Sequence, residues 1–231
     1  MKIYCISDIH GCLEELEESL SLILEHINEN DTMLVILGDY VHGGTESRGV
    51  LNRIIKLQQR YGTDKVICLL GNHDEWVING TASIDSSSLD QSYYDYDEIK
   101  DDNYIRWLEN LPRYFVEGNT IFVHAGIDEQ AGEMWEWETS DDIFTMKYPA
   151  ETGKIQGLDM KVVAGHISTA EISGDPRFHD IYFDGDSHYY IDGAVLDSGI
   201  IPVMMVDTET DKYYRVTEAG NWIIMPYGED D

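Results

Sequence analysis

Six residues spread along the chain have the chemistry of transition-metal ligands: Asp8, His10, Asp39, Asn72, His124 and His166. They sit in five short motifs, SDIHG (7–11), GDYVHGG (38–44), GNHDE (71–75), VHAG (123–126) and AGH (164–166). Each motif ends or directly follows an apolar, strand-like run. Carboxylate and amide oxygens mixed with imidazoles suit manganese, iron or zinc better than calcium or magnesium. A carboxylate such as Asp39 can bridge two ions about 3.5–4 Å apart, and such a pair clamps the attacking and leaving oxygens of an in-line displacement at phosphorus. Packing gives no reason to place polar residues at five apolar strand ends in succession, so the six read as one bimetal site.

The elements that must position them alternate between strand and helix. KIYCIS (2–7), MLVILGD (33–39), KVICLLG (65–71), TIFVHAG (120–126) and KVVAGHIS (161–168) read as strands. Residues i and i+2 of a strand face the same side, so Asp8 and His10 are expected to address one ion from the end of the first strand. Residues 12–28 carry apolar side chains at 13, 16, 20, 23, 24 and 27, a helical period, and 48–62 reads as a second helix stopped by Gly62. Apolar strands bounded by helices call for a covered central sheet. The later segments, 188–195, 199–208, 212–218 and 221–227, are shorter and β-rich. Residues 79–102, rich in Ser, Asp and Tyr, break the order and read either as a solvated loop or as a lid over the metals within a single domain. Trp135 and Trp137 are expected to pack on the core.

Composition narrows the setting. The chain has 231 residues, 42% of them hydrophobic, and a net charge of −30. That field repels nucleic acid and anionic membranes, so neither is expected as a partner. No apolar run approaches 18 residues, so no membrane span is expected, and the N-terminus lacks the pattern of a signal peptide. Three cysteines, Cys5, Cys12 and Cys68, give an odd count without paired spacing. They point to buried thiols and a reducing cytoplasm.

The five motifs, in this order, resemble those of the calcineurin-like metallophosphoesterases. Within that family they are most similar to the phosphoprotein-phosphatase branch, which includes bacterial serine/threonine phosphatases and dinucleoside-tetraphosphate hydrolases. The resemblance covers about residues 1–200. It implies an α+β fold of four layers, α/β/β/α: a two-sheet β-sandwich flanked by helices, with the metals at strand ends. It implies a first ion held at Asp8, His10 and Asp39, and a second at Asp39, Asn72, His124 and His166. It also implies hydrolysis by a hydroxide bridging two divalent ions, manganese first, with iron or zinc as alternatives. His73 matches the general acid, and Asn72 is expected to touch substrate as well.

Two departures fall in the same site. The branch pattern GDxVDRG reads Gly38-Asp39-Tyr40-Val41-His42-Gly43-Gly44. His42 stands where an Asp orients the catalytic His, and is taken as a catalytic partner of His73. Gly43 stands where an Arg grips the phosphate, and its loss removes a bidentate contact to a dianion. Lys147 is the nearest candidate for a second phosphate-binding cation, whereas Arg48 is expected to pair structurally. The first expectation is a serine/threonine-type phosphomonoesterase acting on a phosphorylated protein or a small phosphoester. The alternatives are a phosphodiesterase or dinucleoside-polyphosphate hydrolase, and a weakly active pseudo-phosphatase. Restoring Asp at 42 and Arg at 43 is the discriminating substitution.

Overall fold

The first strand shows how the layers are built. Side chains alternate faces along a strand, so β1 (Lys2–Ile6) sends Tyr4 and Ile6 into one core and Ile3 and Cys5 into another. The structure, a computed structural model, describes residues 1–85 and 98–229.

Two mixed sheets result. In the first, β1 pairs in parallel with β2 (Thr32–Ile36), which pairs in parallel with β3 (Val66–Cys68). On the other side of β1, antiparallel strands β9 (Val203–Asp207), β10 (Lys212–Thr217) and β11 (Gly220–Ile223) complete the order β11-β10-β9-β1-β2-β3. The second sheet contains β4 (Tyr114–Glu117), β5 (Thr120–Val123), β6 (Lys161–Ala164), β7 (Tyr182–Phe183) and β8 (His188–Tyr190) in the order β4-β5-β6-β8-β7. Here β5, β6 and β8 run parallel, with β4 and β7 antiparallel at the edges.

Helices close the outer faces. Helix α1 (Leu13–Leu24) brings Leu16, Leu20 and Ile23 onto Tyr4, Ile6, Leu34 and Ile36. Helix α2 (Ser47–Tyr61) adds Val50, Leu51, Ile54 and Leu57 to the same core. Gly62 ends α2 as expected, at φ +94°, with its N–H donating to the Gln58 carbonyl at 2.8 Å. Helices α3 (Asn72–Ile78) and α4 (Glu98–Glu109) extend this layer through Val77 and Leu108. Between the sheets lie Ile3, Cys5, Val35, Leu37 and Met204 against Phe122, Val163 and Tyr189. The outer face of the second sheet is covered by a 3-10 segment (Glu129–Met134), α5 (Trp135–Glu138) and α6 (Asp141–Met146), which bring Trp135 and Phe144 onto Ile121, Val123 and Val162. The short helices α7 (Thr169–Ser173) and α8 (Val195–Ser198) complete the chain. The layer order is the α/β/β/α sandwich implied by the motifs.

Two expectations change in detail, and a third falls largely outside the described residues. The helix expected over 12–28 ends at Leu24, and 25–28 turn back toward β2. Trp135 is buried, but Trp137 is 82% exposed, because a four-residue helix turns only one of the two indoles inward. Of the expected lid, 79–85 and the helix from 98 are described, and 86–97 lie outside the described residues. Among the described residues no helix is long and apolar enough to cross a membrane.

What the fold contributes to the site is position. The parallel strands β1, β2 and β3 deliver the loops 7–11, 38–44 and 71–75 to one end of the first sheet. The parallel strands β5, β6 and β8 deliver 124–126, 165–167 and 191–194 in the second. Such carboxyl ends of parallel strands are where backbone leaves the sheet free to hold ligands.

Candidate dinuclear metal centre

The expected ligands converge, but not by strand alternation. Asp8 and His10 lie beyond β1 at φ +53° and +49°, and Asp39, His42 and His166 are also left-handed, at +55°, +73° and +65°. Side chains other than Gly adopt this region at a cost, Asn, Asp and His most readily, and such residues gather at functional sites. The loops are held by hydrogen bonds that carry on after the strands pair: Ile9 and His10 both donate N–H to the Asp39 carbonyl at 2.9 Å, and Gly11 donates to Tyr40 at 3.0 Å. Two glycines make the approach possible. A Cβ at Gly71 would fall 2.2 Å from Asp39 Oδ1, and one at Gly165 would fall 2.1 Å from Asp8 Oδ2.

The donor atoms form two clusters joined by Asp39. His10 Nε2 stands 3.7 Å from Asp39 Oδ2 and 3.9 Å from Asp8 Oδ1. On the other side, His124 Nε2 stands 3.5 Å from the same Asp39 oxygen. Asn72 Oδ1 lies 3.0 Å from His124 Nε2 and 3.1 Å from His166 Nδ1. His10 Nδ1 points at the Val41 carbonyl at 3.3 Å and His124 Nδ1 at the Leu37 carbonyl at 3.1 Å. A carbonyl only accepts, so these nitrogens carry the proton and the Nε2 lone pairs face inward. That is how protein carbonyls orient metal-binding imidazoles.

The electrostatics call for cations at this position. His124 is pushed down to about 3 by burial, and His166 is also lowered chiefly by burial. Both imidazoles are therefore neutral, as metal binding requires. The His124 Nε2 lone pair then faces the Asn72 carbonyl oxygen at 3.0 Å, an acceptor against an acceptor. Asp39 is raised well above the carboxylate range by burial, then by Asp74 and Asp8. Asp192, which is buried and likewise raised by burial and by Asp8, adds a further carboxylate. Acceptors and acids packed together in this way fit two divalent ions sharing Asp39.

Asp74 is not aimed at the metals. Fully buried, it accepts N–H from Asp39 at 2.8 Å, Gly71 at 3.0 Å and Tyr40 at 3.1 Å. It thereby ties the second motif to the third, while burial pushes its carboxyl up to about 7.

His73 and His42 form a directed pair. His42 Nε2 lies 2.8 Å from the Ser83 carbonyl and so carries the proton. Its Nδ1 stands 3.0 Å from His73 Nδ1. Burial lowers His42, leaving it neutral, so its Nδ1 accepts from His73. A neutral His73 then presents an unprotonated Nε2. Burial pushes His73 down to about 3, and the neighbouring His10 and His42 add to the shift. A nitrogen of His73 lies within 4.8 Å of the ligand atoms of His10 and Asp39, at the edge of the first cluster.

The two cations considered near the site are both engaged elsewhere, Arg48 in the structural pairing expected of it. Lys147 was expected to grip phosphate; instead its ammonium pairs with Glu129 and donates to the Ile127 carbonyl at 2.8 Å, with its stem under Gly126. Arg48 pairs with Asp85 at 2.7 Å. Gly43 sits at φ +96°, and a Cβ there would fall 2.4 Å from the side chain of Leu196. An apolar residue from α8 thus covers the place from which an Arg would extend. Asp192 and Trp76 are the site-lining residues that the sequence reading missed. Asp192 carried the same signal as the ligands, a carboxylate behind an apolar strand, in HYYIDGAV. Trp76 lies three residues after His73, one turn along α3, with ring centres 4.2 Å apart.

Comparison with known proteins agrees with this geometry. The curated relatives include a symmetrical bis(5′-nucleosyl)-tetraphosphatase of Nitrosospira multiformis, 32% identical over 130 residues, 55% of this chain and 44% of that protein. A protein of the same name from Pseudomonas syringae pv. syringae is 29% identical over 135 residues, 56% and 43% of the two chains. The aligned part thus spans less than half the length of these relatives. Among solved structures, a cold-active protein-tyrosine phosphatase of a Shewanella species superposes with a TM-score of 0.66 at 15% identity, covering 97% of this chain and 80% of that one. A protein serine/threonine phosphatase from Saccharomyces cerevisiae gives 0.60 at 14%, covering 100% and 81%. These two likenesses show the fold alone. The family model described as calcineurin-like phosphoesterase matches residues 1–201, and with its candidate ligands gathered at the ends of the parallel strands the chain belongs to that family.

Proposed function

We propose that the substrate is a nucleotide phosphoanhydride of the dinucleoside-tetraphosphate kind, and that the ions are manganese. The observation that carries this reading is Leu196 lying over Gly43. With Leu196 over Gly43 and Lys147 paired with Glu129, no guanidinium stands at that place to grip the dianion of a phosphoserine, and recognition passes to other parts of the substrate. The tetraphosphatase names of the curated relatives support the same direction. The phosphoprotein monoesterase that stood first from the sequence therefore yields to its alternative. A pseudo-phosphatase is disfavoured because the ligand set is assembled with its lone pairs turned inward.

Bound at this site, two divalent ions supply Lewis-acid charge to the phosphate oxygens and lower the pKa of water toward neutrality. Asp39 would be shared between them, Asp8 and His10 would complete one coordination shell, and Asn72, His124 and His166 the other. His73 enters the reaction as a neutral imidazole with its proton on Nδ1, held there by His42. Its Nε2 takes a proton during the attack and returns it to the leaving oxygen, a positioned acid–base role of the ordinary kind. Asn72 meets substrate only through the metal shell, since its oxygen already faces His124 and His166. Three free cysteines, two of them buried, support a reducing compartment, for which we infer the cytoplasm. The core shared between the sheets supports one domain.

The test is a side-by-side assay of the manganese-loaded chain on diadenosine tetraphosphate and on a phosphoserine peptide, with a chelator control. Chelator-sensitive release of ADP, with kcat/KM at least ten-fold above that for the peptide, is the expected result. Faster turnover of the peptide would overturn the reading.

A further inference from the structure

The acid–base edge of the metal centre continues into a second feature that the hydrolytic machinery does not use. Helix α3 carries His73, Trp76 and Asn79 at steps of three residues, with Asn79 as its C-cap. Three-residue steps rotate by about 60° and rise about 4.5 Å, so the three spiral away from the metals over roughly 9 Å. Trp76 is 38% exposed. One side of its indole packs on His73, with ring centres 4.2 Å apart and planes at 40°. It also lies nearly parallel to His42, at 6.4 Å and 20°. The same indole lines a cleft of about 370 Å³ whose other walls include Asn79, Arg113, Asp141, Asp142 and Met146.

The chemistry of this cleft is unlike that of a phosphate site. Asp141 and Asp142 repel an anion. The charge of Arg113 is taken up by Glu75 at 2.7 Å and approached by Asp141 at 3.5 Å. What remains is a flat aromatic wall, a partly exposed thioether and a rim of oxygen acceptors. Indole and thioether both favour stacked aromatic rings. Carboxylate and amide oxygens accept from the exocyclic and ring N–H groups of a purine. The volume exceeds the needs of one base, and Trp76, which lines it, packs against His73 at the edge of the metal centre.

We infer that the cleft binds the nucleobase of the leaving nucleotide, a purine, with Trp76 as its stacking platform and Asp141 and Asp142, at the start of α6, reading its N–H edge. The inference rests on the nucleotide reading of the metal centre and assigns it a specificity subsite. Anionic phosphates stay at the metals and the uncharged base lies against the acidic rim, so one substrate satisfies both. Trp76 is a binding residue for the base, and it also shields His73.

Two readouts separate this inference from the reading beneath it. In the first, the manganese-loaded chain hydrolyses diadenosine tetraphosphate and inorganic tetraphosphate, which has no base. Wild type is expected to show a KM about ten-fold lower for the dinucleotide, the discrimination typical of one base stacked on an aromatic side chain. Trp76→Ala should erase that ratio and Trp76→Phe should keep most of it. The second readout needs no turnover. ADP added to the chain should quench the fluorescence that is lost in Trp76→Phe, whereas pyrophosphate should not. Quenching by ADP without hydrolysis of the dinucleotide would sink the proposed activity and leave the base site standing. Hydrolysis with equal KM for both tetraphosphates, in wild type and Trp76→Ala alike, would overturn the base site and leave the activity standing. A fall in kcat alone in Trp76→Ala, equal on both substrates, would reduce Trp76 to a support for His73 and equally overturn the inference.

Discussion

At the scale of single residues, the centre differs from its family pattern at two adjacent positions, and the structure accounts for each. In the proposed mechanism His42 takes the orienting task of a carboxylate, with one nitrogen on the Ser83 carbonyl and the other on His73. The consequence is a neutral, proton-accepting His73 rather than an ion-paired one. Replacing His42 with Ala removes the acceptor for His73 Nδ1 but none of the six ligands. Such a variant should lose about 100-fold in kcat, at the low end for a positioned acid–base group. Two bound metals per chain by elemental analysis would confirm that the loss is in orientation. A fall in metal content in step with activity would mean His42 supports the ligands instead. Gly43 is a different matter. Restoring an Arg there meets φ +96° and the side chain of Leu196, so the double restoration suggested by the sequence tests packing as much as phosphate binding. It becomes a clean test of chemistry only with Leu196 shortened in the same chain.

At the scale of elements, the candidate ligands were legible because they obey a simple rule, a polar residue of metal-binding type behind each apolar strand. Their backbone was not legible. Strand alternation suggested that Asp8 and His10 share a face, but both lie in left-handed turns past the end of β1. Periodicity describes regular structure and says nothing of a loop braced from another loop. The brace is Asp74, whose position in GNHDE is plain in the sequence but whose three N–H partners come from two motifs about 35 residues apart. The pairing of Lys147 is hidden for a related reason, since its partner Glu129 lies in a 3-10 segment with no period to reveal it. Removing Asp74 as Ala leaves buried N–H groups of residues 39, 40 and 71 without acceptors, at a cost of roughly 1–3 kcal/mol for each one that water cannot reach. The expected outcome in urea unfolding is a loss of about 3–5 kcal/mol, near the upper end of single-residue effects. Asn at the same position, which keeps an acceptor oxygen and matches a carboxyl already pushed toward neutrality, should lose less than half of that. Equal losses for Ala and Asn would show that the charge, and not the acceptor geometry, joins the two loops.

At the scale of the whole molecule, a chain with a net charge of −30 must place its few cations where they stabilise most. One such place lies in the second sheet, away from the metals. His188, the first residue of β8, is buried between Asp184, with Nδ1 to Oδ2 at 2.9 Å, and Glu129, with Nε2 to Oε1 at 3.4 Å. Lys147 pairs with the same Glu129, and Asp184 also accepts the N–H of Gly153 at 2.7 Å. The group thus joins β8 and the connection before it to the 3-10 segment and to the loop that follows α6. Burial alone would lower His188, but Asp184 and Glu129 outweigh it and raise its pKa above 6.5. A folded-state pKa raised above the unfolded value adds stability that is complete below the unfolded pKa and is lost as pH rises through the folded one. His188→Gln should therefore cost most near pH 6, about 3 kcal/mol as for a broken buried pair, and progressively less at higher pH. Urea midpoints of wild type and variant between pH 6 and pH 9 measure the difference. Converging curves would place the imidazolium in the network. A constant gap would mean that His188 acts there as a neutral hydrogen-bonding residue and that Lys147 alone balances the two carboxylates.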